Sequence, residues 1–321
     1  MPINRSDPDR WKTDIIQSVD LYNSWFMEFA PKAFRETRLV TANRVEQALA
    51  DTANLTNVSP ELLKKHPEVL PILRMATCPP IARDRLVGLA GVSKNLVECM
   101  ENSSNPKMPP RMEASVLERD LCRICSTIAK MSDPDIFVWM NRTIPATNVE
   151  VRRAATIVAD RLCGAVSDPI IRNAQEKRQL ETIGKWLQAR NYRYVENVKF
   201  DKMETGTYTF RANVPVYIAG NSESEKVNIP VDVIIMPLQA TQNELPLLIE
   251  AKSAGDFANV NKRRKEEAHK MAQLKNSYGE NVRFGLFLCG YFDSSYLGYE
   301  AAEGIDWVWE HRIEDFLKYG L

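Results

Sequence analysis

At 321 residues, with 44% apolar and 26% charged side chains, the chain is long enough for two domains with ordinary buried cores. Formal net charge is zero, so any nucleic-acid surface must come from local clustering and not from bulk charge. No apolar run approaches the ~20 residues of a membrane span, and the polar opening MPINRSDPDRWK lacks a signal-peptide core, which makes the cytoplasm the expected compartment.

Residues 11–30 place Trp11, Ile15, Val19, Tyr22 and Phe26 at three- and four-residue spacing, a helix that Pro31 is expected to end. Helical periodicity continues through 42–51, 60–75, 112–131 and 149–164. Little of this half reads as strand, so an all-helical domain is expected over residues 1–165, given to DNA recognition and dimerisation. Within it, RDRLVGLAGVSKNLVECMEN (83–102) orders one helix, a Gly91-Val92 turn and Ser93 as the N-cap of a second helix. This resembles a helix-turn-helix that offers Lys94 and Asn95 to a major groove; the same order is also a common packing corner. Cys122 and Cys125 form a C-x-x-C inside a periodic helix without a second pair at zinc-ligand spacing, so the six cysteines read as buried thiols.

The second half, 166–321, changes character. Residues 168–192 form an amphipathic helix with Ala174, Leu180, Ile183 and Leu187 facing inward. Strand-like runs follow at 192–200, 207–218, 227–237 and 245–252, then a helix at 259–278, a strand at 282–291 and a partly helical, aromatic-rich end at 305–319. The expected class is α+β or α/β: a helical domain followed by a mixed β-sheet core flanked by helices.

Two of these strands carry charge where a buried strand does not tolerate it without a use. Asp232 interrupts the β-branched run at 227–237, and Glu250 and Lys252 end the run at 245–252. Side chains alternate along a strand, so Glu250 and Lys252 share a face with Leu248, and Asp232 shares one with Ile234 and Met236. A hairpin closed over 238–244 sets Asp232 opposite Glu250, with Cβ atoms roughly 5 Å apart. Two carboxylates that close call for a cation, and Mg²⁺ held by one or two carboxylates plus waters and substrate phosphate is the natural one. Such a site suits phosphodiester hydrolysis. The preceding helix can add an acid, Glu176 being best placed and Glu181 a rival, although either is as readily a solvent-facing charge. Directly after Glu-x-Lys, the stretch from Asn259 through Asn261, Lys262, Arg263, Arg264 and Lys265 begins a helix suited to phosphate and base contact; the alternative is a solvated face with i,i+4 pairs to the following glutamates.

Pro230-x-Asp232 followed by Glu250-x-Lys252 resembles the active-site signature of the PD-(D/E)xK nuclease superfamily, with one residue between Pro and Asp. Together with RWKTDIIQSVDLYNSWFMEFAPKAFRETR, IRNAQEKRQLETIGKWLQARNY and IEAKSAGDFANVNKRRKEE, the chain resembles type II restriction endonucleases of the XamI family. The resemblance implies a PD-(D/E)xK-type sheet and Mg²⁺-dependent, sequence-specific cleavage of double-stranded DNA in a bacterial host, with a cognate DNA methyltransferase protecting host sites. It makes GTCGAC the first site to test and 5′-phosphate ends the expected product. It assigns Asp232 and Glu250 as metal ligands, with the backbone carbonyl of Ala251 as a third, and has Lys252 position or deprotonate the attacking water. Palindromic sites match two-fold protein symmetry, so a homodimer is expected. Two other readings stay open: a structure-specific repair or recombination nuclease of the same core, and a DNA-binding regulator whose nuclease-like half is inert.

Overall fold

The computed structural model describes residues 2–196, 198–217, 226–242, 244–257 and 260–321, with 165–168, Asp201 and 260–264 described by backbone alone. The chain divides into two compact units: Ala30–Ile170, and a second that joins Met1–Phe29 to Ile171–Leu321. The sheet-bearing unit therefore takes its first 29 residues from the N-terminus. Hydrogen bonds account for this. The Asp306 carboxylate accepts from Asn4 N (2.9 Å) and Arg5 N (3.1 Å), and Asp14 pairs with Arg312 at 2.7 Å.

Helix α1 spans Pro8–Asp51 with Pro31 inside it, so Pro31 does not end the helix as its chemistry alone suggests. The ~3 kcal/mol that an interior proline costs is outweighed by burial on both sides, Tyr22 before it and Val45, Ala48 and Leu49 after it. Short helices α2 (Pro60–Lys65), α3 (Leu70–Met75), α4 (Arg83–Ala90) and α5 (Lys94–Met100) lead to α6 (Ala114–Met131). Helix α7 then runs unbroken from Asn148 to Gln188 through Pro169, merging the two helices that the sequence separates near Cys163. The core of the helical unit gathers Val45, Leu49, Leu63, Leu70, Leu86, Leu96, Leu121, Ile124, Phe137 and Val158. Ser59 caps α2, its hydroxyl accepting from Leu62 N at 3.3 Å. Cys125, Cys163 and Cys289 are buried as expected, whereas Cys78 and Cys122 are exposed and Cys99 is half-buried; all six are free.

The sheet holds β1 (Arg193–Tyr194), β2 (Thr207–Tyr217), β3 (Lys226–Met236) and β4 (Leu247–Ala254), then β5 (Arg283–Gly290) and β6 (Asp306–Trp309), in that spatial order. The β2–β3 and β3–β4 pairs are antiparallel and the others parallel, so the sheet is mixed. Helix α8 (Val260–Tyr278) connects β4 to β5, and α9 (Ser294–Ala302) connects β5 to β6; parallel neighbours require such crossovers. Two corrections to the expected strands follow. Among the described residues of 192–200, Arg193–Tyr194 alone form a strand, and the aromatic run after Ile305 forms β6 before a 3-10 helix, Glu310–Tyr319.

One sheet face packs on α7 through Leu180, Ile183, Trp186 and Leu187 against Tyr208, Val233, Ile235, Leu247 and Ile249. The other packs on α8 and α9 through Met271, Leu274, Tyr296 and Leu297 against Ile234, Leu248, Leu286 and Trp307. Gly290 closes the β4–β5 end at φ +101°, where a Cβ would lie 2.1 Å from Ala254 O; only glycine fits there. Among the described residues no helix is long and apolar enough to cross a membrane.

Candidate active site

The β3–β4 ladder pairs Val233 with Ile249, Ile234 with Leu248 and Ile235 with Leu247. Extending that register by one step sets Asp232 against Glu250, as the sequence spacing expects. The Asp232 carboxylate accepts a hydrogen bond from Ala251 N at 2.9 Å. On the outer side of β3, the β2–β3 ladder pairs residues 210 with 233 and 212 with 231 but skips Arg211 and Asp232. Arg211 has φ +50° there, a conformation that costs a non-glycine residue roughly 1–3 kcal/mol and clusters at functional sites. The backbone turns over at this point. Ile229 and Val231 pack with the α8-side cluster, whereas Val233 and Ile235 pack with the α7-side cluster. Asp232 thereby shares the α8 side of the sheet with Ile234, and so do Glu250 and Lys252 with Leu248.

Helix α8 lays two charged side chains, three residues apart, onto this group. Glu267 Oε1 lies 3.2 Å from Lys252 Nζ, which is 3.5 Å from Glu250 Oε2. Lys270 Nζ donates to the other Glu250 oxygen and, at 2.8 Å, to Pro230 O. The result is an alternating chain, Lys270–Glu250–Lys252–Glu267, with Asp232 beside Glu250. Burial, and then the charge of Glu250, push the Asp232 carboxyl up to about 6. Burial pulls the Lys252 amine down, but Glu250 and Glu267 together carry it above the usual lysine range.

The donors that face one another here are oxygen-only: two carboxylates with a backbone segment between β4 residues 250 and 252. That chemistry fits a hard divalent cation completed by water and phosphate. Among the described residues no group of three or more His, Cys, Asp or Glu side chains could hold a metal.

Glu176, on α7, is ion-paired with Arg211, its Oε1 at 3.0 Å from Nε and 2.9 Å from Nη2. Glu181 pairs at 3.7 Å with Lys177 on the exposed side of the same helix. Both line an open groove with Asn173, Tyr194 and Phe210. Lys94 is exposed at the start of α5 and pairs with Glu98 at 3.7 Å, while the Asn95 carbonyl oxygen faces Cys99 Sγ. Gly91 takes the left-handed conformation expected of the turn, and Ser93 stands at the N-cap without a hydroxyl cap bond, its N–H donating to Asp120. Asn259 lies outside the described residues, as do the side chains of Asn261, Lys262, Arg263 and Arg264 at the start of α8.

The sequence reading missed Glu267 and Lys270. A signal existed: both sit on the stripe of α8 that carries Met271 and Leu274, the face that the 3.6-residue period buries. It also missed Gln179, whose amide donates from α7 to the carbonyls of Lys252 and Phe287 at 3.3 Å each and ties β4 to β5.

The family model for XamI restriction endonucleases matches residues 53–309. The chain belongs to that family. The type II restriction enzyme SalI of Streptomyces albus G is 52% identical over 321 residues, covering 99% of each chain. Protein VC1899 of Vibrio cholerae, a crystal structure, aligns over 86% of this chain and 55% of its own at 13% identity and a TM-score of 0.28, too distant to bear on the site. The chain is thus a type II restriction endonuclease, and DNA is its substrate.

Proposed function

We propose that this enzyme makes Mg²⁺-dependent double-strand cuts in DNA at GTCGAC, leaving 5′-phosphate and 3′-hydroxyl ends. It acts as a homodimer in a bacterial cytoplasm where a cognate methyltransferase protects the same site. The observation that carries the reading is the convergence of Asp232, Glu250 and Lys252 on one face at the end of the β3–β4 ladder. Full-length similarity to SalI supports the same reaction class.

Asp232 and Glu250 would hold the metal, with the Ala251 carbonyl as a third ligand. When bound, Mg²⁺ supplies an activated water and neutralises charge on the scissile phosphate. The protein's own part is positional and electrostatic. The Ala251 N–H fixes the Asp232 carboxylate. Lys252, held between two carboxylates, presents a cation to the charge that builds on the phosphate during in-line attack. Its surroundings favour that role over proton abstraction, because both neighbours stabilise the ammonium. Lys94, Asn95 and the stretch Asn259 to Arg264 are the proposed DNA contacts, and Glu176 is the proposed additional acid.

The test is incubation of the purified protein with a plasmid carrying known GTCGAC sites, in Mg²⁺ or in EDTA, followed by sequencing of the fragment ends. Discrete Mg²⁺-dependent fragments ending within GTCGAC are expected. Discrete fragments elsewhere would replace the site and keep the reaction. An intact plasmid with cleavage of junctions or mismatches would instead favour a repair nuclease.

A further inference from the structure

Lysine is a flexible point charge with about 2 kcal/mol of rotamer entropy, so a lysine that stabilises a reacting phosphate must be held. In this site Glu250 does not suffice. It is the longer of the two contacts to Lys252, 3.5 Å against 3.2 Å, and it is already engaged by Lys270. We propose that Glu267 is the positioning residue of Lys252: anchored on α8, 1% exposed and 3.2 Å from Nζ, it fixes the ammonium at the reacting phosphate without binding the metal itself.

Three observations support this. Lys252 is the only salt-bridge partner of Glu267 among the described residues. A carboxylate this deeply buried is costly unless a cation answers it. Behind it lies Glu300, fully buried on α9, whose carboxyl is pushed up to about 8 by burial and then by Glu267. Glu300 is thereby biased toward its neutral form, and Lys252 is the cation that answers Glu267. The role rests on the reading of Lys252 given above.

The experiment compares wild type, Glu267→Gln, Glu267→Asp and Lys252→Ala, all full-length. It measures single-turnover cleavage of a plasmid that the wild type cuts, duplex affinity in Ca²⁺, KM, and Ca²⁺ affinity by calorimetry. Glu267→Gln is expected to slow the single-turnover constant roughly 10²-fold, the scale of an ångström misplacement, with KM, duplex affinity and Ca²⁺ affinity each within about twofold of wild type. Glu267→Asp keeps the charge but withdraws it by about one bond length; it is expected to fall between the two and serves if the Gln variant does not fold. Wild-type rates in both Glu267 variants, with Lys252→Ala dead, would overturn the positioning role alone. A parallel loss of Ca²⁺ affinity in Glu267→Gln would also overturn it, making Glu267 a metal ligand. If Lys252→Ala cuts at the wild-type rate, the reading of the site beneath it falls.

Discussion

At the scale of single residues, the site is a string of charges whose neighbours decide their work. Asp232→Asn removes one of two facing carboxylates and Lys252→Ala the central cation. Each is expected to lower cleavage by about 10³-fold or more while duplex binding survives, consistent with the cost of losing one preorganised electrostatic group. A gel-shift alongside a single-turnover assay checks both, and near-wild-type cutting by either variant would remove that residue from the mechanism. Lys270 makes a different prediction. Its amine neutralises Glu250 and holds Pro230 O, so Lys270→Met leaves a buried carboxylate pair without that cation. Breaking a buried pair costs ~3–5 kcal/mol, and Lys270, a fifth exposed, belongs at the lower end. The variant should melt earlier in EDTA and recover more of its Tm on adding Ca²⁺ than wild type does. An equal Ca²⁺ response in both proteins would mean that Lys270 does not guard the metal carboxylates.

At the scale of elements, α8 matters most, because one helix carries both the proposed DNA-contacting start and the two side chains that close on β4. If Arg263 and Arg264 each neutralise a phosphate, replacing both with Ala should reduce the slope of log K against log salt by ~1.8, at ~0.9 per contact on duplex DNA. An unchanged slope in a filter-binding titration would assign that turn to solvent. The same titration discriminates for α5. Its seven residues place Lys94 exposed at the first turn, so Lys94→Ala should reduce the slope by ~0.9 if the turn-and-helix element grips the backbone, and leave it unchanged if the motif is a packing corner.

At the scale of the whole molecule, several buried acids share one sign of pH dependence. Burial, and then the charge of Glu267, push the Glu300 carboxyl from its ordinary 4.5 up to about 8 in the folded chain, with Tyr296, Glu303 and Lys252 as its other neighbours. The folded chain therefore binds more protons than the unfolded one across that window. The stability this provides is complete below the lower value and is lost as pH rises toward the upper one. Glu267, Glu310 and Asp232 are raised in the same direction. Wild type should thus lose Tm between about pH 5 and about pH 8, and Glu300→Gln should flatten part of that fall; an identical slope would show that Glu300 does not titrate there. Assembly is tested by sedimentation: a single chain is 36.6 kDa, and two-fold recognition of a palindrome predicts twice that mass on the duplex.

The sequence by itself determined the strands that carry the site and their register, because an Asp inside a β-branched run and a Glu-x-Lys after a short connection leave few pairings that keep both runs buried. It pointed to the mixed sheet as well, since a short connection suits an antiparallel pair and a strand, helix, strand order supplies the crossover that parallel neighbours need. Three things were decided only by tertiary structure. Burial on both sides carried α1 past Pro31, a balance that local propensity does not contain. Hydrogen bonds from residues 4 and 5 to Asp306 joined the N-terminus to the sheet unit, across some 300 positions that no local pattern spans. The closing of α8 over β4 turned Glu267 and Lys270 from apparent surface charges into partners of Lys252 and Glu250, because a charge on a buried helical stripe acquires its meaning from whatever the stripe packs against.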